Sequence, residues 1–362
     1  MLAAPMLNRG RHSLFADSST DYSTRAIDLV RRSAPIDMLG LLTLDWNRLY
    51  QWQRQPASFG DGEIQKLTGT GTRVFHPAVD PNHPDPHGTT LRWISGWNRL
   101  LAAHPERLVR IGSADDLERV REGSRLGLLI GFQNSEHFRD SADVALFHGL
   151  GQRVSQLTYN VRNRLGSGCN QDGPLTPYGA GIVAAMNEVG MAVDISHCSD
   201  RTSFDTVAAS RKPVLITHSN CRALVPHKRC KPDSVIRAVA ARGGVMGITV
   251  IPAFAGKRQP VTLDDVLDHF DYAARLVGPE HVGLGSDCDT DAIDPKTGRI
   301  RPRYVVHGLR HVRRTFDIAE GLLRRGYAEK DVELILGGSF RRALAEIWGP
   351  APAAPTPVRA AG

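Results

Sequence analysis

The chain has 362 residues, of which 41% are hydrophobic and 23% are charged, and its formal net charge is +7. This composition is typical of a globular α/β protein and excludes collagen-like, low-complexity and disulfide-scaffold chains. The basic residues form no aromatic-interleaved or zinc-finger pattern, so we expect no nucleic-acid partner.

Two strands and one helix are predicted in the N-terminal third. Residues 36–42 and 72–79 are short apolar segments, and residues 91–104 follow the second one with helical periodicity. The first segment reads "IDMLGLL" and has almost no polar residues. Such a continuous apolar run is typical of a strand that is buried on both faces of a parallel sheet.

From residue 126 onward, short apolar runs alternate with stretches of helical periodicity. The predicted strands are 126–133, 154–159, 191–197, 213–219, 244–251 and 281–287. The predicted helices are 179–190, 200–211 (with Asp200 as N-cap), 231–244, 262–278, 307–325 and 328–347. Eight strands that mostly alternate with helices predict a closed (β/α)8 barrel of the TIM type. A doubly wound open sheet is the alternative, but no Gly-rich phosphate turn follows the first strand.

The sequence predicts one folded domain between two irregular ends. Residues 1–25 are predicted to be a flexible segment, residues 26–348 the barrel, and residues 349–362 a disordered tail rich in Ala and Pro. No run of about 18 apolar residues occurs, so we expect no membrane span. The five cysteines are scattered, which favours reduced thiols and a cytoplasmic protein. A periplasmic location is the alternative if "LAAP" is the remnant of a trimmed export signal.

Polar side chains occur where several predicted strands end: Gln133, Tyr159, Asn160, His197, His218 and Asp287. Because the carboxyl ends of barrel strands meet at one mouth, we expect these side chains to lie together. Each one alone is as easily a structural hydrogen-bonding group. Two neutral imidazoles on successive strands are typical zinc ligands, and a carboxylate beside them suits proton transfer.

A series of motifs runs in a fixed order along most of the chain, within residues 36–348. They read "LTPYG", "MNEVGMAVDISH", "SRKPVLITHSNCRAL", "HKRCKPD", "GGVMGI", "HVGLGSD" and "GGSFRR". Together they resemble the membrane (renal) dipeptidase family of metallopeptidases. The resemblance implies a (β/α)8 barrel with a two-zinc site that hydrolyses dipeptides, and it suggests a homodimer.

The resemblance also implies roles for individual residues. His197 and His218 match the two strand-end histidines that hold one zinc ion, and Asp287 matches the aspartate that handles the proton. Arg229 matches the arginine that binds the substrate carboxylate, although the asparagine after it is here Cys230. A planar guanidinium suits such a bidentate contact.

Three strand ends depart from the family pattern. The first should read "DGHND", whose His and Asp bind the second zinc, but Leu39 and Leu41 occupy those positions. The bridging Glu of the third strand is replaced by Gln133, which we keep only as a weak metal ligand. The oxyanion-stabilising His of the fourth strand is replaced by Tyr159, which retains a phenolic donor and is assigned a catalytic role. Asn160, beside it, is a candidate substrate-binding residue.

These replacements change the expected metal content. Two divalent ions roughly 3.5 Å apart repel each other by on the order of 19 kcal/mol at an effective dielectric of about 20. Anionic ligands normally offset this repulsion, and two of them are missing here. We therefore predict one zinc ion or none, held by His197 and His218 with Glu136 or Asp287 as a possible third ligand.

The predicted function is hydrolysis of a peptide or amide bond in a dipeptide or amino-acid-derived metabolite. Two alternatives keep the same barrel. One is a metal-free acid–base enzyme, such as a tautomerase, a lyase or an amide hydrolase. The other is a non-catalytic binding barrel.

Overall fold

Short buried strands form the centre of the structure, a computed structural model that describes residues 11–13, 21–81 and 83–349. A parallel 10-stranded sheet has the order β5-β6-β4-β3-β12-β11-β10-β9-β8-β7. Two short antiparallel pairs, β1 with β2 and β13 with β14, lie outside it. The strands are β1 Arg11–Ser13, β2 Asp21–Ser23, β3 Ile36–Asp37, β4 Val74–Phe75, β5 Leu108–Arg110, β6 Leu126–Leu128, β7 Gly131–Phe132, β8 Val154–Gln156, β9 Ala192–Asp194, β10 Val214–Ser219, β11 Met246–Ile248, β12 Val282–Leu284, β13 Ile293–Asp294 and β14 Arg299–Ile300.

The sheet closes on itself because β6 and β7 are successive parts of one chain segment. β6 pairs with β4 near one end of the order, and β7 pairs with β8 at the other end. A parallel bridge between Val79 and Phe132 extends the pairing of the β4 segment to β7. The predicted (β/α)8 barrel is therefore confirmed, and the open doubly wound sheet is excluded. β5, which the sequence analysis missed, is an additional strand outside the ring.

The first barrel strand is shorter than predicted. Only Ile36–Asp37 forms a regular strand, and the chain then turns and makes a single bridge between Gly40 and Cys288. The backbone N–H of Met38 donates to the carbonyl of Leu284, and that of Leu41 donates to the carbonyl of Cys288. The residues after Asp37 thus leave the ladder and form part of the barrel mouth.

Helices surround the barrel and bury an apolar face against it. They are α1 Thr24–Ser33, α2 Trp46–Arg54, α3 Asp61–Gly69, α4 Pro86–Ala103, α5 Ala114–Glu122, α6 Ser141–Leu150, α7 Pro177–Val189, α8 Asp200–Ala209, α9 Asp233–Ala240, α10 Pro252–Ala255, α11 Leu263–Val277, α12 Arg314–Arg324, α13 Glu329–Glu333 and α14 Ser339–Trp348. The N-cap of α8 is Ser199, whose hydroxyl accepts from the Thr202 N–H; Asp200 is the first helical residue, so the predicted cap was one residue late.

The domain boundaries at residues 26 and 348 stay predictions, and α1 and α14 are the described helices nearest to them. α1 begins at Thr24, and Tyr22 just before it is already buried. The last helix ends at Trp348. Residues 1–10, 14–20 and 350–362, which include most of the predicted flexible segment and nearly all of the predicted tail, lie outside the described residues.

Two global properties follow from the described residues. No helix among them is long and apolar enough to cross a membrane. All five cysteines are free thiols, and only Cys169 is partly exposed.

Candidate functional site

Two histidines face each other at the barrel mouth. His197 follows β9 and His218 lies within β10, so adjacent parallel strands place them side by side. Their Nε2 atoms are 3.0 Å apart. His197 is 5% exposed and His218 is fully buried. The structure thus brings together the two residues that the sequence analysis paired.

Hydrogen bonds fix both imidazoles in the same tautomer. The Nδ1–H of His197 donates to Oδ1 of Asn160 at 2.7 Å. The Nδ1–H of His218 donates to the hydroxyl of Thr217 at 2.8 Å, since that hydroxyl itself donates to Asp194 at 2.6 Å. With both Nδ1 atoms protonated, the two Nε2 atoms present lone pairs to each other. Facing lone pairs repel unless a cation lies between them, which is the arrangement of metal-binding histidines.

Burial and nearby cations keep both imidazoles neutral. The pKa of His197 and the pKa of His218 are well below the usual value, first because of burial and second because of the Arg229 guanidinium. The ammonium of Lys231 adds to this effect, and it is itself buried against the carbonyl of Cys198 at 2.7 Å. Burial lowers the pKa of Lys231 to about 8. Neutral imidazoles are the metal-binding form of histidine, so this environment suits metal binding at neutral pH.

Asp287 lies at the end of the eighth barrel strand with a left-handed backbone, φ 57°. Its N–H donates to the carbonyl of Leu39 at 3.0 Å. Burial raises the pKa of the Asp287 carboxyl to about 6, while the Arg229 and Arg303 guanidiniums oppose that rise. A carboxyl with this pKa exchanges a proton readily near neutral pH, which suits a general acid–base role.

A buried ion pair supports the backbone just before Asp287, at the end of the eighth barrel strand. Asp37 and Arg314 are both fully buried, and an Nη atom of Arg314 lies 3.1 Å from the Asp37 carboxylate. The same carboxylate accepts from the backbone N–H of Ser286 at 2.8 Å and from its hydroxyl at 2.6 Å. Ser286 precedes Asp287, so this network holds the backbone that presents the catalytic candidate.

Tyr159 and Asn160 both contact His197. The Tyr159 ring stacks on the imidazole, with centroids 4.3 Å apart and planes 22° apart. Burial, followed by the charge of Asp287, raises the pKa of Tyr159, so its hydroxyl is a proton-bearing donor. Asn160, predicted to bind substrate, uses its side-chain oxygen to orient His197 instead. Its contact with substrate stays a prediction, and its observed role is positioning.

Arg229 is 5% exposed and is anchored to both histidine-bearing segments. Its Nη1 donates to the carbonyl of Ser196 at 2.6 Å, and its Nη2 donates to the carbonyl of His218 at 3.2 Å. The guanidinium carbon lies 5.5 Å from the centroid of the Phe254 ring. A cation held so rigidly beside the histidine pair is positioned to receive an anionic group of a ligand.

The opposite side of the mouth is apolar. Leu39, Leu41 and Ala78 form a small cluster of their own, with Leu44 packed against it. Leu39 is fully buried and Leu41 is 9% exposed. Gln133 borders this cluster, because its Nε2 donates to the carbonyl of Ala78 at 3.1 Å. An amide that is neutral and bonded to the backbone does not replace a bridging carboxylate.

Within residues 11–13, 21–81 and 83–349, no three His, Cys, Asp or Glu side chains come together as a metal-binding group. Glu136 and Asp287, each considered as a third ligand, therefore do not complete one in this arrangement. His137, which lies next to Glu136, is a structural residue: its two ring nitrogens contact the carbonyl of Asn134 and the side chain of Gln152, both at 3.1 Å.

The sequence analysis missed three charged residues of this region. Lys231 lies within the "HKRCKPD" motif, two residues after Arg229, and its burial gave no sequence signal. Asp80 and Arg303 act on the phenol of Tyr159 with opposite sign, the first raising its pKa and the second lowering it. Asp80 follows the second barrel strand, so it could have been found by the same criterion that selected the other strand-end residues. Arg303 lies in the long irregular segment after the eighth strand, for which no pattern was available.

A comparison with protein families matches most of the chain. A family model described as "Membrane dipeptidase (Peptidase family M19)" matches residues 64–352. The match begins after the first barrel strand, the segment in which Leu39 and Leu41 occupy the predicted ligand positions.

Individual relatives are similar over most of this chain. This chain is 30% identical over 264 residues to Dipeptidase tcpJ of Claviceps purpurea, and the alignment covers 71% of this chain and 60% of that protein. It is 31% identical over 283 residues to Dipeptidase aclJ of Aspergillus oryzae, covering 75% of this chain and 64% of that protein. The chain thus spans less than two thirds of the length of these relatives. A solved amidohydrolase from Pseudomonas aeruginosa superposes with a TM-score of 0.76 at 26% identity, covering 89% of this chain and 99% of that one.

Proposed function

Because this chain belongs to the membrane dipeptidase family, peptidase family M19, we propose that it hydrolyses the peptide bond of a dipeptide or a related amino-acid amide. The observation that carries the proposal is the neutral pair His197 and His218, with Nε2 atoms 3.0 Å apart. Asp287 and Arg229 lie beside this pair with the chemistry that peptide hydrolysis needs: a proton-exchanging carboxyl and a fixed guanidinium.

We propose that the site takes one zinc ion and not two. The paired Nε2 lone pairs fit one divalent ion, which His197 and His218 would hold. The residues present do not fit a second ion, because Leu39 and Leu41 offer hydrocarbon and Gln133 offers a neutral amide. When bound, a zinc ion in such a site supplies Lewis-acid activation of water.

The protein's own groups would divide the remaining tasks. Arg229 would bind the free carboxylate of the substrate, since its guanidinium is already fixed by two backbone carbonyls. Asp287, with a pKa raised to about 6, would accept a proton from the attacking water and pass it to the leaving amine. Tyr159 would donate its hydroxyl hydrogen bond to the oxygen that gains charge at the reacting carbonyl.

Metal analysis of protein purified without chelator tests the proposal. We expect about one zinc per chain in the wild type. His197→Ala and His218→Ala should each lose it. His307→Ala is the matched control, because His307 is exposed and lies outside the pair; this variant should keep its zinc.

Turnover of a dipeptide panel gives the second readout. We expect hydrolysis by the zinc-loaded wild type and none by either variant of the pair. A protein that binds no zinc, yet turns over an amino-acid-derived substrate, contradicts the zinc proposal and favours the metal-free acid–base enzyme. A protein that binds zinc but hydrolyses no dipeptide contradicts the proposed activity.

We also propose a cytoplasmic location and a homodimer. The five free thiols support a reducing compartment, and the homodimer follows from the family resemblance alone. Fractionation of the native cell and light scattering of the purified chain test the two statements. Export to an oxidising compartment, or a monomeric mass, would refute the corresponding one.

A further inference from the structure

A second cavity, here called the α2–α4 groove, lies between the helices Trp46–Arg54 and Pro86–Ala103. Its volume is about 550 Å³, which is the size of a small-molecule site. None of the residues assigned to the barrel mouth lines it. The residues that matter for its chemistry are Tyr50, Gln53, Arg54, Arg92, Trp93 and Arg99.

The groove concentrates positive charge that a nearby carboxylate, that of Asp85 beside Arg92, offsets only in part. Three arginines line it and no Asp or Glu does. The guanidinium of Arg54 makes no hydrogen bond or ion pair with any described residue. Arg99 uses its Nε to donate to the backbone carbonyl of Gln53 at 3.0 Å, and Arg92 lies 3.9 Å from the exposed carboxylate of Asp85. Three cations around one cavity repel each other, and an anion bound between them relieves that repulsion.

A buried amide in the groove lacks a partner. Gln53 is 4% exposed, and its Nε2 is buried without a hydrogen-bond acceptor among the described residues. A buried N–H group without an acceptor is unfavourable, so such groups are normally paired. Because Gln53 lines the groove, a rotation of its side chain would let this amide donate to a ligand oxygen there. This feature is independent of the arginine cluster and indicates the same kind of ligand.

Aromatic rings form one wall of the groove. Tyr50 and Trp93 have centroids 5.1 Å apart and planes tilted by 31°, and Tyr50 is 45% exposed. Trp46, 47% exposed, packs edge-on against Trp93. Exposed aromatic side chains beside arginines are the usual elements that stack on a planar ring.

We propose that the α2–α4 groove binds a small aromatic anion. Its planar ring packs against Tyr50, which Trp93 supports from behind, its phosphate or carboxylate lies among Arg54, Arg92 and Arg99, and one of its oxygens accepts from the Gln53 amide. This site is separate from the barrel mouth and does not depend on the proposed peptidase activity.

Calorimetric titration of the full chain tests the proposal with defined probes. Adenosine 5′-monophosphate represents the aromatic phosphates, and indole-3-acetate represents the aromatic carboxylates. Adenosine and inorganic phosphate are the corresponding half-ligands. We expect at least one aromatic anion to bind tenfold or more tightly than adenosine and inorganic phosphate; the stronger of the two anions identifies the anionic group.

Variants locate the binding. Arg54→Gln combined with Arg99→Gln should weaken the dissociation constant at least tenfold. Arg31→Gln removes one charge from an exposed position on α1 and should leave the dissociation constant unchanged. If the double variant loses its circular-dichroism spectrum, Arg54→Gln alone gives the readout, because that guanidinium has no described partner to lose.

Four results would overturn the proposal. They are no binding of either anion at millimolar concentration, inorganic phosphate binding as tightly as the aromatic anions, equal weakening by Arg31→Gln, and loss of binding in His218→Ala. The last would place the anion in the barrel mouth and not in the groove.

Discussion

The two sides of the barrel mouth have opposite chemistry on the same scaffold. The polar groups are the facing ring nitrogens of His197 and His218 and the titrating carboxyl of Asp287, whose backbone adjoins the apolar side through its bond to Leu39. On the apolar side, Leu39 and Leu41 pack with Ala78 into hydrocarbon. The same barrel thus supports a hydrogen-bonded histidine pair at one part of its mouth and close apolar packing at another. The polar side is expected to determine function, and the apolar side is expected to determine stability.

The largest expected effect is on catalysis at the polar side. Asp287→Asn removes the proton-exchanging carboxyl and should lower kcat by about 10²- to 10⁴-fold. Steady-state kinetics on the best dipeptide, with zinc content measured in parallel, checks this. Asp61→Asn is the control, since that side chain is 90% exposed and is far from Asp287 in the sequence. Full activity in Asp287→Asn would remove Asp287 from the mechanism.

The apolar side should respond in stability and not in metal content. Leu39→Ala removes a fully buried side chain and should lower the free energy of unfolding by about 2–5 kcal/mol. Leu150→Ala, at a position 36% exposed, should change it by less than about 0.5 kcal/mol. Urea unfolding measures both. If Leu39→Ala instead loses its zinc without losing stability, the two sides are not independent.

Asp287 also predicts a pH dependence of stability in the metal-free protein. Its pKa rises from 3.8 in the unfolded chain to about 6 in the folded one, so ionisation opposes folding. This penalty is absent below about pH 4, grows between pH 4 and 6 and is complete above about pH 7. Asp287→Asn should therefore be more stable than the wild type by up to about 3 kcal/mol at pH 8, and equally stable at pH 4. A difference that grows toward low pH would contradict the raised pKa.

The smallest expected effect tests the support of the histidine pair. Asn160→Gly removes the acceptor for the His197 Nδ1–H, and glycine suits the left-handed φ of 59° at that position. Zinc affinity should fall about 10- to 100-fold, as is typical when the partner of a metal-binding histidine is lost. Competition with a chelator measures it. Asn160→Asp keeps an acceptor oxygen and should retain most of the affinity; equal losses in both variants would argue against this orienting role.

The sequence predicted the barrel because burial determines its strands. Residues 213–216 are apolar on both faces, and β10 occupies Val214–Ser219 almost as predicted. The strand ends were less predictable. Residues 38–41 are apolar enough to extend β3, but the chain turns there because the N–H groups of Leu39 and Gly40 donate back to Asp37. The N–H groups of Met38 and Leu41 donate to carbonyls of the eighth-strand segment, a tertiary pairing that local sequence does not encode.

The sequence identified the site residues that follow predicted strands. It did not identify roles that depend on tertiary contacts. His197, His218 and Asp287 each end a strand, so position alone identified them. The orienting role of Asn160 could not be predicted from the sequence, because that role depends on a left-handed backbone conformation that brings the Asn160 side-chain oxygen to His197. Lys231 is hydrophilic by type, and only the structure shows that it is buried beneath the pair.

The buried pair of Asp37 and Arg314 has a consequence for engineering. The carboxylate that ties the first strand to the eighth is balanced by a guanidinium from α12, so this joint is built without any metal. The contacts of Asp37 with Arg314 and Ser286 use no side chain from positions 39, 41 or 133, so an exchange there changes the packing energy but leaves this joint in place. Metal-binding side chains introduced at these positions would have to replace the packing of Leu39 and Leu41, while the link between the first and eighth strands would persist.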